Sequence, residues 1–186
     1  MALILASASP RRAELLTSAG FTFTVQTAEV DETPHPGESA QAYVLRVARA
    51  KAQAIAATCR KSGSVILGAD TTVVVDGEIL GKPEGREDAV RMLKSLSGRV
   101  HEVLTGLAVV AGSHEDEEVV TTRVRLLPIT PDEINWYIDT GEPDGKAGAY
   151  AIQGRAARFV DWIEGSWSNV VGLPVATVYQ MLKKVS

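Results

Sequence analysis

Cysteine is nearly absent from this sequence: Cys59 stands alone, so no intrachain disulfide can form and a reducing compartment, the cytoplasm by default, is expected. Histidine is scarce too. His35, His101 and His114 lie far apart and none belongs to an HExxH pair, which leaves no basis for a histidine zinc site. Excess positive charge is missing. The formal net charge of −4 argues against broad attraction to nucleic acid or a membrane surface and leaves room only for a local basic pocket. No apolar run approaches membrane-spanning length, and the first residues lack the basic start of a signal peptide. Absent as well are a GxGxxG run after a strand, a GxSxG elbow, internal repeats, low-complexity tracts and an obvious linker. What remains is a chain of 186 residues with ordinary globular composition, long enough for a sizeable core and expected to form one domain over 1–186.

The most informative stretch is LILASASPRRAELL, residues 3–16. It predicts a short buried strand at Leu3, Ile4 and Leu5, a loop of small residues from Ala6 to Ser9, then a helix capped by Ser9 with Pro10 at its first position. Arg11 and Arg12 fall in the first turn. That end of a helix carries partial positive charge, so a cation there costs a few tenths to about 1 kcal/mol. An anion held in front of the helix would reverse the sign. Leu15, Leu16 and Ala19 define the apolar face with Arg12 near its centre, while Arg11 lies to one side, placed for a surface pair with Glu14. Arg12 is the better ligand candidate. Taken alone, both arginines could equally be solvated or paired with distant carboxylates.

A strand is expected over 21–25 and a polar loop containing Glu32 over 26–38. Ser39 then opens a long helix reaching about Thr58, whose buried face gathers Ala40, Tyr43, Val44, Val47, Ala48, Ala54 and Ile55. Lys51 falls in the middle of that face, and Gln41, Arg46, Arg49 and Gln53 take the opposite side. A lysine among core positions must snorkel outward or meet a fixed anion. Residues 64–75, SVILGADTTVVV, are an almost continuous strand signal interrupted by Asp70, and Asp76-Gly77 is a hairpin turn returning through 78–80. Gly81-Lys82-Pro83 has only a passing likeness to a P-loop, because the glycine spacing is wrong and Pro83 stands where Ser or Thr belongs.

A helix over 86–96, and another opened by the capping box Thr130-Pro131-Asp132-Glu133 and ended by Gly141, both begin with acids. The arginines of the first helix are thus the exception to the dipole rule. Strands are expected over 100–110 and 118–127, joined by a turn around 112–117, and again at 159–164, with Gly172-Leu173-Pro174 introducing a last helix. Strands alternate with helices early and hairpins dominate the middle, which predicts an α/β fold with a mixed sheet.

Asp70 is the sharpest anomaly. Either it is a turn residue where the strand breaks, or it is a buried carboxylate that needs a cation or donors beside it. Glu32, in a polar loop, is by itself expected to be solvated, and Cys59, near a helix end, is a packing residue rather than a nucleophile. The set says more than its members. If Arg12, Lys51 and Lys82 share a cleft with Asp70 and Glu32, a polyphosphate suits the cations but is repelled by the acids. A divalent cation resolves that conflict, and a magnesium-dependent reaction at phosphorus is the chemistry that follows.

The run Ala6-Ser7-Ala8-Ser9-Pro10-Arg11-Arg12, with Leu15-Leu16, closely resembles the signature of the Maf family of nucleoside triphosphate pyrophosphatases. So do Val30-Asp31-Glu32-Thr33, Ala50-Lys51-Ala52, Gly68-Ala69-Asp70-Thr71, Gly81-Lys82-Pro83, Lys146-Ala147-Gly148-Ala149-Tyr150, Ile152-Gln153-Gly154 and Val171-Gly172-Leu173-Pro174, in order along nearly the whole chain. The resemblance implies an elongated mixed β-sheet flanked by helices, with two lobes around a nucleotide cleft, similar to inosine triphosphate pyrophosphatase. It also implies cleavage between the α and β phosphates, giving a monophosphate and pyrophosphate, with Mg2+ or Mn2+. Carried over residue by residue, it makes Asp70 the acceptor that activates water. Ser7, Arg11, Arg12, Lys51 and Lys82 become phosphate ligands, and Glu32 and Asp70 become metal ligands.

One branch, acting on dTTP and UTP, is similar to this chain in Arg12, in Thr71 after Asp70 and in Gln153. The 7-methyl-GTP branch tends to carry Gln after the aspartate and Glu in place of Gln153. An amide can both donate and accept toward a pyrimidine imide edge, whereas a carboxylate only accepts. Thr71 is also simply a good strand residue, and Gln153 could merely satisfy a loop. Ala156 departs from the family, which often has glycine there; were φ positive, the loop bearing Gln153 would be set differently. The expected activity is dTTP/UTP pyrophosphatase, limiting noncanonical pyrimidine nucleotides. The alternatives are a 7-methyl-GTP pyrophosphatase and a non-catalytic nucleotide-binding regulator of septum formation. A homodimer is suggested by the resemblance alone, and neither nucleic acid nor membrane is an expected partner.

Overall fold

The computed structural model describes residues 2–59 and 63–185. Its strands are β1 (Ala2–Ala6), β2 (Phe23–Val25), β3 (Ser64–Val75), β4 (Glu78–Leu80), β5 (Val100–Ala111), β6 (His114–Leu126) and β7 (Val160–Glu164). They pair in the order β2-β1-β3-β5-β6-β7, with β4 joined to β3 outside that path. β1 runs parallel to β2 and β3, whereas β4 on β3 and β7 on β6 are antiparallel, so the sheet is mixed as expected. The helices are α1 (Pro10–Ser18), α2 (Ala40–Thr58), α3 (Arg86–Leu96), α4 (Pro131–Asp139), α5 (Trp167–Val171) and α6 (Val175–Lys183). None of them is long and apolar enough to cross a membrane. The chain divides into two compact units, one of residues 1–71, 105–120 and 172–186, the other of 72–104 and 121–171.

In the first unit β1, β3 and β5 are apolar at nearly every position because both faces of the sheet are covered there. Alternation assigns each residue a side. Leu3, Leu5, Val65, Leu67, Ala69, Leu107 and Val109 pack with Leu16 of α1 and with Val178 and Met181 of α6. Ile4, Ala6, Ile66, Ala108 and Val110 pack with Ala48, Ala52 and Ile55 of α2, and Cys59 is half-buried against this second cluster. The helix α2 comes unusually close to the sheet. A Cβ on Gly68 would lie 2.2 Å from the Ala48 carbonyl oxygen, and one on Gly106 would lie 2.4 Å from that of Val44. Glycine is needed at both places for space rather than for torsion.

In the second unit α3 packs on α4. Tyr137 and Trp136 of α4 both meet Phe159 edge-on. Thr130 and Glu133 form the anticipated capping box on α4. His101 is buried, its Nε2 lies 2.7 Å from the Tyr150 hydroxyl, and burial pushes its pKa down to about 4, so the ring is neutral at pH 7.

Three local expectations differ from the structure. β6 begins at His114, not near 118, because the three acids ahead of 118 are each met: Glu115 by Gln53, Glu117 by Arg49, and Asp116 by Lys184 at 2.8 Å. The two outer acids face α2 and the middle one faces the other side, as strand alternation demands. A 3-10 turn, Arg155–Phe159, precedes β7, and the short helix α5 was not foreseen. Ser9 does precede α1, yet its hydroxyl makes no cap.

Because α2 rests on bare backbone, Gly68→Ala is expected to destabilise the protein by about 1–3 kcal/mol or more, through overpacking. The check is thermal unfolding against Gly81→Ala, where nothing lies within 4 Å of the added carbon and little change is expected.

Candidate active site

Asp70 does not break its strand. β3 runs through it without interruption, and the side chain is buried on the face that carries Ile66 and Gly68, beneath α2. The close approach at Gly68 brings Lys51, one residue before Ala52, onto this carboxylate. Lys51 Nζ lies 2.8 Å from Asp70 Oδ1 and 2.6 Å from Glu32 Oε1. Lys51 therefore meets fixed anions instead of snorkelling, and the three side chains together carry one net negative charge.

Glu32 is held there through its own loop. Tyr43 donates its hydroxyl to the Glu32 carbonyl at 2.9 Å. Arg46 donates to both Glu38 carboxylate oxygens, at 2.7 and 2.8 Å, and to the carbonyls of Asp31 and Thr33. The Arg46 fork, with the His35 N–H, holds the Glu38 carboxyl down to about 2. Burial, then the charges of Asp70 and Glu32, push the Tyr43 hydroxyl up to about 12. Neither supporting residue was legible as such. Tyr43 looked like ordinary core and Arg46 like a solvated residue on the polar face of α2.

The neighbouring residue Thr71 points to the opposite face of the sheet, where Arg12 is buried. Arg12 donates from Nε to the Gly172 carbonyl at 2.8 Å, and from Nη1 to Ser7 Oγ and to the Ala69 carbonyl, both at 2.9 Å. Its Nη2 donates to Thr71 Oγ1, also at 2.9 Å. Four of the five guanidinium N–H groups thus end on oxygens of the protein itself. Thr71 Oγ1 further donates to the Gly172 carbonyl and shares a bond with Thr105 Oγ1, so this hydroxyl is saturated. Burial lowers the Arg12 pKa, the nearby charge of Asp70 counters it, and Arg11 lowers it further. Arg11 is half-buried and makes no hydrogen bond or ion pair with the described residues, so the pair with Glu14 is not formed. Ser7 Oγ accepts from Arg12 and from the Ser9 N–H, which leaves its O–H as a donor.

The first unit therefore gathers Ser7, Arg11, Arg12, Glu32, Lys51, Asp70 and Thr71. Lys82 and Gln153 belong to the second unit. There the Gly148 N–H donates to the Gly81 carbonyl at 3.1 Å, tying the segment that bears exposed Lys82 to the start of the loop that bears Gln153. Gly148 has φ of 67° and a Cβ there would strike Val73 at 2.9 Å, so only glycine fits. The Gln153 side chain is exposed and bonded to none of the described residues. Ala156 sits in the 3-10 turn and is not among the residues of positive φ, so its departure from glycine strains nothing.

For a cation the donor set is hard oxygen, with the carboxylates of Asp70 and Glu32 converging on one point of positive charge. Among the described residues no cluster of three or more His, Cys, Asp or Glu could hold an ion unaided. That composition fits Mg2+ or Mn2+, which keep water and phosphate oxygens in their remaining positions.

Residues 2–185 match the family model described as Maf-like protein. A dTTP/UTP pyrophosphatase of Anaeromyxobacter sp. (strain Fw109-5) is 54% identical over 187 residues, covering 98% of this chain and 88% of that protein. The dTTP/UTP pyrophosphatase of Myxococcus xanthus (strain DK1622) is 52% identical over 182 residues, covering 98% and 91%. Among solved structures, the Ham1 protein of Staphylococcus aureus superposes with a TM-score of 0.53 over 100% of both chains; at 11% identity the likeness is one of fold.

A lysine cannot reach the four acceptors around the Arg12 fork. Arg12→Lys is accordingly expected to lower unfolding stability by about 2 kcal/mol, while Arg11→Lys leaves it unchanged. Urea titration of both variants is the check, and equal midpoints would show that the fork bears no structural load.

Proposed function

Because the chain belongs to the Maf family, we propose that it is a nucleoside triphosphate pyrophosphatase that hydrolyses dTTP and UTP to the monophosphate and pyrophosphate. The observation that carries this is a buried strand carboxylate, Asp70, sharing one lysine ammonium with Glu32. A sensor that only binds nucleotide has no use for a poorly solvated carboxylate in this position.

In the proposed mechanism water attacks the α-phosphorus and Asp70 accepts its proton. Lys51 holds the Asp70 carboxylate in one orientation before the reaction. Arg11, the Ser7 hydroxyl, Lys51 and Lys82 meet the charge that grows on the departing pyrophosphate. Arg12 adds positive charge but acts chiefly by fixing Thr71 and the Ala69 carbonyl, so its influence on specificity runs through Thr71. Asp70 and Glu32 are the residues that would hold Mg2+ or Mn2+, which when bound neutralises the triphosphate. Gln153 reads the imide edge of the pyrimidine with an amide that both donates and accepts. The chain works as one catalytic domain over 1–186, and limiting noncanonical pyrimidine nucleotides is the role such an activity serves.

Pyrophosphate release measured across a nucleotide panel with magnesium or manganese is expected for dTTP and UTP. Release from 7-methyl-GTP instead would keep the chemistry and move the base preference, and release from none would leave only a binding role. Asp70→Asn is expected to keep nucleotide binding, measured by calorimetry, while turnover drops about 10²–10⁴-fold. Near-normal turnover in that variant would mean another group activates the water.

A further inference from the structure

Gln153 can discriminate between bases only if its backbone is held in place, yet it stands exposed at the tip of a turn closed by Gly154 N–H donating to the Ala151 carbonyl at 3.0 Å. That turn is gripped on both sides by one pair of residues. On the far side Glu142 accepts the Arg155 N–H on Oε2 at 2.9 Å and the Ala156 N–H on Oε1 at 3.3 Å. On the near side the Ala151 N–H donates to the Tyr137 hydroxyl at 3.1 Å, and that hydroxyl donates in turn to Glu142 Oε1 at 2.8 Å. Tyr137 is fully buried in α4. Glu142 is anchored to the end of α4, where its N–H donates to Thr140 Oγ1 at 3.2 Å and Thr140 donates to the Tyr137 carbonyl at 2.6 Å. Gly154 completes the fit: a Cβ there would lie 2.4 Å from Glu142 Oε1, so the turn can close on the carboxylate only without a side chain.

We propose that Glu142 is a positioning residue for base selectivity, holding the turn that presents Gln153 without touching the substrate itself. The inference rests on Gln153 as the base-reading residue. Three N–H or O–H donors converge on Glu142, which is the acceptor-only pattern of an ionised carboxylate. Burial pushes its pKa up, but the donors from Arg155, Tyr137 and Ala156 together hold it below the usual carboxylate range. A glutamine of the same shape would turn an NH2 toward one of these donors and release one side of the turn. An aspartate, one methylene shorter, cannot reach the Tyr137 hydroxyl and the Arg155 N–H together.

The experiment is steady-state kinetics of Glu142→Gln, Glu142→Asp, Gln153→Ala and the double variant with UTP, dTTP and 7-methyl-GTP, with inorganic tripolyphosphate as a base-free competitive inhibitor. Loss of one or two such hydrogen bonds is expected to raise KM for UTP and dTTP about tenfold in both Glu142 variants. Turnover at saturation and tripolyphosphate inhibition should hold within about twofold. Adding Glu142→Gln to Gln153→Ala should change little further. Weakened tripolyphosphate inhibition in parallel with UTP would overturn the proposal, since a general structural fault has no reason to spare the base-free ligand. So would full additivity of the two substitutions. If Gln153→Ala lowers pyrimidine preference but the Glu142 variants do not, the positioning role alone falls. If Gln153→Ala leaves preference untouched, the base-reading role falls and takes this inference with it.

Discussion

A carboxylate in the middle of a strand covered on both faces has lost most of its water, and in that setting an uncompensated charge is costly enough to neutralise itself or unfold the segment. At Asp70 the compensation comes from Lys51, which reaches it at 2.8 Å. That contact in turn depends on how near α2 can lie to the sheet, which Gly68 and Gly106 decide by having no side chain. The ammonium that compensates Asp70 also captures Glu32, so the loop of residues 26–38 is drawn to the same place. Two missing Cβ atoms, one lysine and two acids thus form a single construction, and the buried carboxylate and its cationic partner are set by the same packing.

The opposite face is built on different physics. Arg12 lies next to the charge of Asp70, but its hydrogen bonds go to neutral oxygens of Gly172, Ser7, Ala69 and Thr71. A planar fork with fixed geometry is suited to joining three separate segments of chain (the Ser7 loop, β3 and the stretch at Gly172), in a way a point charge is not. Arg11, one position earlier on the same helical turn, has no such commitments. Two adjacent arginines of identical chemistry therefore differ in kind: one organises backbone, the other presents charge. With α1 lacking any acid in its first turn, the field at this helix end favours an anion.

In the second unit the important contacts are made to backbone. Glu142 and Tyr137 bind main-chain N–H groups on either side of Gln153, and Gly148 and Gly154 occupy places where a side chain would collide. The exposed Gln153 amide therefore stands on a turn whose backbone is hydrogen-bonded to residues of α4 and its C-terminal end.

By itself the sequence determined the mixed α/β architecture, since apolar runs, turn residues and caps are local signals; β3 spans 64–75 as predicted, down to the Asp76-Gly77 turn. It also marked Arg12, Lys51 and Asp70 as charges in apolar company, because a mismatch of charge and pattern is visible without coordinates. What it could not contain was partnership. Nothing local to α2 marks Arg46 and Tyr43 as the residues that fasten the loop of Glu32, and nothing around Glu142 marks the backbone N–H it accepts from Arg155. The acids at 115–117 read as a turn because their partners, Gln53 and Arg49 on α2 and Lys184 at the end of α6, are distant in the chain. Hydrogen bonds between residues far apart in sequence leave no periodic trace, so only the tertiary structure could decide which charge is compensated, by whom, and which remains to meet a ligand.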